Sequence, residues 1–266
     1  MSGDVRQHYE RLAATYDDNW AHDPAVIRWM SERIVEALDI RPADRLADIG
    51  SGTGLFARQV DDIVRPLRPL QCIDPSAAML GRITDAPNLM AIEASAEDLA
   101  LGRVTLPHLP LDAAWIKEAV HHIEDRAATL TGLSQLLAPG GRLLIVMLPT
   151  TIAYPLFGAA IEKYEALQPD PEDIARHLRA AGLLTQVSHV EHPLTIDRER
   201  YLAMVRDRYM SLLTLFDDAE IEAGIEEIRT RHPEPRLTFP DRFAFVLGRS
   251  PAAPAAERSG TVGATP

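Results

Sequence analysis

Leu46-Ala47-Asp48-Ile49-Gly50-Ser51-Gly52-Thr53-Gly54 is an apolar-rich run that ends on an acid and breaks into three glycines alternating with small polar residues. Just downstream, Leu55, Gln59, Val60 and Ile63 recur at helical spacing. The pattern predicts a strand, a tight turn and a helix, with the turn stripped of side chains so that a ligand can touch backbone. A second run, Leu70-Gln71-Cys72-Ile73, also ends on an acid, Asp74. An acid at the tip of the second strand of such a unit is placed to grip the two hydroxyls of a ribose. Together these features predict a site for an adenosine-containing cofactor at the first strand crossover.

The frame Gly52-x-Gly54-x-x-Ala57 formally satisfies the dinucleotide fingerprint, so a nicotinamide cofactor has to be weighed. Three details pull away from it. Asp48 precedes the glycines, where a carboxylate would lie near pyrophosphate. The glycines run as Gly-x-Gly-x-Gly from Gly50. The unit also begins about 45 residues into the chain, behind a helical leader, which dehydrogenases seldom have.

Outward from this unit, strands are predicted at 45–49, 70–74, 89–93, 113–117 and 142–148, with helices at 54–65, 76–84 and 126–137. Alternation of this kind gives a parallel sheet covered on both faces. Ahead of it, residues 4–20 read as an amphipathic helix carrying Tyr9, Leu12, Ala13, Tyr16 and Trp20 on one face. Asp23-Pro24 opens a second helix, with Ile27, Met30, Ile34 and Leu38 inward and an end before Pro42. After Pro149 come helices at 155–167 and from Pro171 to Ala181, the latter stopped by Gly182. Leu184–Val190 and Arg242–Gly248 read as strands around a charge-rich helical stretch, 197–231. Residues 250–266, rich in Pro, Ala, Ser and Gly, are expected to be a disordered tail.

A chain of 266 residues with 46% apolar and 25% charged residues suits one well-buried domain with a small cap or lid. The net charge of −12 argues against a nucleic-acid partner. The single cysteine, Cys72, cannot form an internal disulfide and reads as a core residue of the second strand. No apolar run reaches membrane-spanning length and no amino-terminal signal pattern is seen, so a cytoplasmic location is expected. No metal site is expected, because His121 and His122 are adjacent and lack partners at ligand spacing.

Asp48 through Gly54, Asp74, Ala96-Glu97-Asp98, His121-His122 and Leu137-Ala138-Pro139-Gly140-Gly141 resemble the class I S-adenosylmethionine-dependent methyltransferases, over about Tyr9 to Gly248. The resemblance implies an α/β fold, a Rossmann-like seven-stranded sheet, mostly parallel with an antiparallel last strand. It also implies S-adenosyl-L-methionine as cofactor. In the family the two final strands form an edge hairpin, whereas here about 35 residues separate them, more than a hairpin loop needs. The division expected is a helical leader (1–41), a methyltransferase domain (42–249) with a helical lid (196–234), and the tail.

By the same resemblance, Gly50, Gly52 and Gly54 approach the methionine and ribose, Asp48 accepts from the methionine ammonium, and Asp74 accepts from both ribose hydroxyls. Ser95-Ala96 stands where family members often carry Asp-Ala to meet adenine, so the usual carboxylate is missing. Glu97 and Asp98 read equally well as a helix-cap cluster. Lys117, at the end of the fourth strand, is placed with the cofactor contacts.

Methyl transfer is an in-line displacement, so the protein aligns the nucleophile, excludes water and, for a hydroxyl acceptor, removes a proton. Lys117-Glu118-Ala119-Val120-His121-His122 ends the fourth strand where this fold faces the transferable methyl. His121 and His122 are the candidate bases, against a reading in which they cap a helix or pack beneath the cofactor. The Asn- or Asp-Pro-Pro-aromatic run of DNA amine methylation is missing here. Tyr9 and Tyr16 share one face of the leader helix and are candidates to shield the reacting centre, with core packing the more common fate of such a stripe. In the lid, Leu202, Val205, Tyr209, Leu212 and Phe216 form one apolar stripe bordered by Arg208. Arg208 is the candidate to hold an anionic substrate, with pairing to an internal acid favoured, and Tyr201 is placed beside it. The expected protein methylates a small molecule, oxygen being the favoured acceptor atom. A nicotinamide-dependent oxidoreductase and a non-catalytic S-adenosylmethionine binder are the alternatives.

Overall fold

The computed structural model describes residues 24–83 and 86–252. The leader helix expected at 4–20, with Tyr9 and Tyr16, and most of the expected tail lie outside the described residues. Elements are numbered through the described chain. Helix α1 (Pro24–Leu38) precedes β1 (Leu46–Ile49), α2 (Leu55–Val64), β2 (Leu70–Asp74), the short α3 (Ala77–Leu80), β3 (Leu89–Glu93) and α4 (Ala96–Ala100). Then come β4 (Leu111–Lys117), α5 (Arg126–Ser134), β5 (Leu137–Met147), α6 (Gly158–Leu167) and α7 (Pro171–Ala180). The last elements are β6 (Leu184–Asp197), α8 (Arg198–Arg206), α9 (Asp218–Arg231) and β7 (Arg236–Arg249).

The seven strands form one sheet in the order β3-β2-β1-β4-β5-β7-β6. The first five run parallel, and β7 is antiparallel to both β5 and β6. The order reverses at β1, so the crevice at the carboxyl ends of β1 and β4 is the place where such a sheet takes its ligand. Both faces are covered. One core unites α1, α2, α6 and the two carboxyl-terminal helices around Trp115, Leu144 and Val146. The other joins α4, α5 and α7 around Ala114, Ile116 and Ile145. Cys72 is buried in the first of these cores. Arg45 clamps the starts of β1 and β4 together, its Nε and Nη2 donating to the two oxygens of Asp112 at 2.7 and 2.9 Å.

The strand boundaries depart from expectation where the site is built. β5 starts at Leu137, because the Pro139-Gly140-Gly141 turn is absorbed as an irregularity in its pairing with β4. β6 and β7 are each 14 residues long and pair from Leu184↔Arg249 to Asp197↔Arg236. β5 pairs with β7 only as far as Met147↔Ala244. Residues Arg236–Phe243 and their partners in β6 therefore continue as a two-stranded ribbon past the carboxyl edge of the sheet, roughly 25 Å at the usual rise. The ribbon carries α8 and α9 at its tip. The segment expected to be a helical lid is not one helical stretch: α8 stops at Arg206, a 3₁₀ turn covers Ser211–Leu215, and α9 begins at Asp218. The stripe expected on a single helix is thus split, with Tyr209 and Leu212 on the intervening turn.

Candidate active site

The glycine loop follows from its sequence. Gly50, Gly52 and Gly54 all have positive φ, at 78°, 55° and 75°, a region that side chains disfavour. At Gly50 a Cβ would lie 2.6 Å from Ala119 Cβ, whereas at Gly52 it would meet nothing within 4 Å. The first glycine lets the loop pack on the β4 turn, and the second leaves open space in front of the loop. Asp74 braces this arrangement: its Oδ2 accepts from Gly52 N at 2.9 Å and its Oδ1 from Ser76 N at 2.8 Å. Each oxygen keeps further accepting capacity for a ligand hydroxyl.

Gly50, Gly52, Asp74, Ser95, Ala96, Lys117 and His122 line one cavity at the carboxyl ends of β1, β2 and β4. Most of the sequence-predicted cofactor residues are thereby brought together, with three qualifications. Gly54 is absent from the lining and instead packs against Ile83, which a Cβ there would approach to 3.1 Å. Asp48 is not on this wall: it is buried on the β1 side facing Lys117, and burial, reinforced by Asp74, pushes its carboxyl up to about 8. Ser95 has spent its hydroxyl in a capping box. Its Oγ accepts from Asp98 N at 3.0 Å while its own N–H donates to Asp98 Oδ2 at 3.1 Å. Ser95 is thus the cap and Asp98 its partner three residues on, in line with the cap-cluster reading for Asp98, and Glu97 lines the cavity.

A second space of about 350 Å³ opens beside the first. Its walls are the end of β4 (Glu118, His121, His122), the first residue of α5 (Arg126), α6 (Tyr164, Leu167), and the lid turn from Tyr209 to Leu215. Glu118 and His122 belong to both spaces, so they stand where a cofactor and an acceptor would meet. His121 lines only the second space. Its burial, with the Arg126 cation nearby, pushes its pKa down to about 4. Such an imidazole is neutral at physiological pH and a poor proton acceptor. Glu118 is the reverse case: burial lifts its carboxyl to about 7, with Lys117 pulling it down and Asp241 pushing it up.

A third, apolar space lies between α1, α8 and the ribbon. Lys117 reaches its edge with its ammonium 4.3 Å from the Phe56 ring centroid and 5.5 Å from that of Phe243, contacts that favour a cation. Burial still holds the Lys117 pKa below the usual lysine range, against Glu118, Asp241 and Asp48, which raise it. Tyr201 is here and not in the second space, its hydroxyl 3.2 Å from that of Tyr209. Tyr154 donates to the buried carboxylate of Asp241 on the ribbon.

Arg208 is occupied. Its Nη2 donates to Asp218 at 2.7 Å and to the Phe216 carbonyl at 3.2 Å, so it bridges the lid turn to α9 and is absent from the cleft lining. The guanidinium in the cleft is Arg126, whose Nε and Nη2 donate only to the carbonyls of Val120 and His121, at 3.2 Å each. Sequence reasoning missed Arg126, Glu118, Tyr154 and Asp241. The signal for Glu118 was its place at the end of β4; Asp241 lay within a segment not read as strand. Among the described residues no group of three or more His, Cys, Asp or Glu is arranged to hold a metal, and no helix is long and apolar enough to cross a membrane.

This sheet order, with a glycine loop after β1 and an acid closing β2, defines the class I methyltransferase architecture. Residues 47–145 match the methyltransferase domain family, and the chain as a whole has the class I methyltransferase fold. It is similar to the malonyl-[acyl-carrier protein] O-methyltransferase of Alcanivorax borkumensis, 28% identical over 62% of this chain and 52% of that protein. It is also similar to the ubiquinone/menaquinone biosynthesis C-methyltransferase of Ectopseudomonas mendocina, 28% identical over 53% of this chain and 57% of that one. The chain spans little more than half the length of these relatives. A solved putative methyltransferase from an antibiotic biosynthesis pathway of Anabaena variabilis shares the fold, with a TM-score of 0.64 over 82% of this chain and 96% of that one, at 14% identity.

Proposed function

We propose that the protein transfers a methyl group from S-adenosylmethionine to a hydroxyl oxygen of a small, acid-bearing molecule. The observation that carries this reading is the junction of two spaces at the end of β4, one bounded by the glycine loop and Asp74, the other roofed by the lid turn. The residues present fit the cofactor: an open approach at Gly52, a braced carboxylate at Asp74 for the ribose, and Ala96 and Glu97 at the adenine end. When bound, the cofactor supplies an activated methyl carbon on a sulfonium, so no metal or covalent intermediate is required. The chain's own part is to hold the acceptor in line, keep water out under the lid turn, and take up one proton.

The cleft itself supports a small acceptor. Leu148, Leu167, Met210, Leu212 and Leu215 supply apolar contact, and the Arg126 guanidinium, with no carboxylate partner among the described residues, supplies a positive end. An oxygen acceptor is favoured because the junction holds a proton-accepting group. Curated relatives of comparable similarity include both an O- and a C-methyltransferase, so the choice of oxygen rests on the cleft.

The test is calorimetric titration of the protein and of Asp74→Ala with S-adenosylmethionine and with NADH, then a screen of hydroxy acids for turnover. Binding of S-adenosylmethionine that Asp74→Ala abolishes, followed by ether or ester formation, upholds the reading. Binding of NADH in its place returns the glycine loop to a dehydrogenase. Cofactor binding with no turnover across acceptor classes leaves a non-catalytic binder.

A further inference from the structure

We propose that Glu118 is the catalytic base of this site, accepting the proton of the acceptor hydroxyl as that oxygen bonds to the methyl carbon. The inference rests on the methyl-transfer reading above and adds the residue that performs its proton step. Glu118 directly follows β4 and adopts φ 52°, a left-handed conformation uncommon outside glycine. Two bonds hold it there: its N–H donates to Val146 O at 2.8 Å, and its Oε1 accepts from Leu148 N at 2.9 Å. A strained residue pinned from two sides at a cavity junction is a feature that sites retain for use.

The chain reversal brings the carboxylate onto the wall shared by cofactor cavity and acceptor cleft. One oxygen is engaged by Leu148, and no group among the described residues donates to the other, Oε2. That oxygen is the open proton acceptor of the junction. The competing groups are committed elsewhere. Tyr154 donates to Asp241, Tyr164 to the Pro149 carbonyl at 2.6 Å, and Tyr209 is bonded to Tyr201. His121 is pushed down to about 4 and lies off the cofactor cavity. Among the described residues, His122 shares the junction and is the one rival the geometry leaves.

Charges face Glu118 from every side. Lys117 on its own strand favours the carboxylate and Asp241 on the ribbon opposes it, while Arg126, His121 and His122 line the cleft before it. Burial is the largest influence and sets the carboxyl near 7, where a base both takes and sheds a proton readily. In the step, an oxygen lone pair forms the O–C bond and the C–S bond breaks with its electron pair going to sulfur. The hydroxyl proton passes to Glu118 and from there to solvent, so charge and atoms balance.

The test uses the whole protein labelled with ¹³C at the glutamate carboxyl carbon, and needs no acceptor. The Glu118 signal is the one missing in Glu118→Gln; should that variant not fold, Glu118→Asp identifies it by the loss of the same signal. Titration is followed by NMR with saturating S-adenosylmethionine and with saturating S-adenosylhomocysteine, which lacks the positive charge. A sulfonium at the reacting centre lowers the midpoint of a carboxyl within about 4–6 Å by about one pH unit or more. A lower midpoint with the sulfonium ligand supports the proposal, and equal midpoints with both ligands bound overturn it. Failure of both ligands to bind removes the methyl-transfer reading instead. With an acceptor from the hydroxy-acid screen, Glu118→Gln is expected to lose about 10²-fold or more in kcat, beyond the roughly tenfold loss of S-adenosylmethionine affinity that a one-unit midpoint shift implies by linkage. An unchanged kcat, or the same loss in His122→Gln with Glu118→Gln unaffected, also overturns it.

Discussion

The Asp74 carboxylate accepts the Gly52 amide at 2.9 Å, so the tip of the second strand holds the loop of the first in place. The same carboxylate is proposed to bind the ribose, which makes its replacement doubly costly. We expect Asp74→Ala to lose S-adenosylmethionine affinity by about 10²-fold or more, since bonds to a charged group contribute about 1.5–3 kcal/mol each. Asp74→Asn keeps one accepting oxygen and should fall between. Calorimetric titration of both variants checks the order.

Gly50 and Gly52 separate a folding role from a binding role. A Cβ at position 50 would collide with Ala119 at 2.6 Å, whereas at position 52 nothing lies within 4 Å. Gly50→Ala should therefore lower the thermal midpoint steeply. Gly52→Ala should cost only the backbone strain of a non-glycine at φ 55°, about 1–2 kcal/mol, yet block the cofactor's approach. Thermal melts with titration of S-adenosylmethionine distinguish the two. Comparable melts and comparable binding in both variants would count against the assigned roles.

The first half of the site was legible because its chemistry is tied to local chain geometry. A glycine loop between a strand and a helix and an acid on the next strand are read from spacing alone, and Gly50, Gly52, Asp74, Ser95 and Ala96 converge on one cavity. The reacting half was not legible, since it is assembled from segments far apart in sequence. Arg126 and Tyr209 meet only because the β6–β7 ribbon overshoots the sheet edge. That overshoot was hidden by Pro193 and Pro240, residues that argue against strand yet face each other across this ribbon. Arg208 pairs with an acid, as favoured from its sequence, but because α8 ends at Arg206 the partner is the exposed Asp218 and not an internal one.

Burial of Asp48 gives the protein a pH dependence. Its carboxyl lies near 8 in the folded state against 3.8 ordinarily, so the folded protein holds a proton that the unfolded chain releases. Stability from this group is full below pH 4 and declines as pH rises toward 8, with a slope of up to about 1.4 kcal/mol per pH unit. Glu118, lifted to about 7, acts in the same direction. Denaturant melts of the ligand-free protein should show lower stability at pH 8 than at pH 6. Asp48→Asn, which carries no titrating proton, should flatten that difference. An unaltered slope in Asp48→Asn would reject the assignment.

Asp241 links the ribbon to the sheet: it accepts from Tyr154 and faces Lys117, with Asp241 and Tyr154 buried and Lys117 half-buried. Removing one member of a buried charged group leaves the others unsatisfied, so Asp241→Ala should cost about 3 kcal/mol or more. Adding Lys117→Met to it removes the cation that has lost this carboxylate and should recover part of that loss. Urea melts of the two single variants and the double variant form a cycle. Additive effects would show that the two residues are not coupled.

Arg126 and Arg208 offer the sharpest contrast for the acceptor. Arg126 lines the cleft with its guanidinium bonded only to carbonyls, whereas Arg208 is held by Asp218 and the Phe216 carbonyl. If the acceptor carries an acid group, its partner is Arg126. Loss of a charge-assisted bond then raises KM for acidic acceptors by about 10–100-fold in Arg126→Ala, with neutral analogues little affected. Arg208→Ala should leave KM unchanged and lower stability by less than about 1 kcal/mol, because its partner Asp218 is almost fully exposed. Steady-state kinetics on a matched acid and its primary amide decide the matter. An equal KM change for both compounds would place Arg126 in the scaffold, and a selective change in Arg208→Ala would return the anion site to the lid.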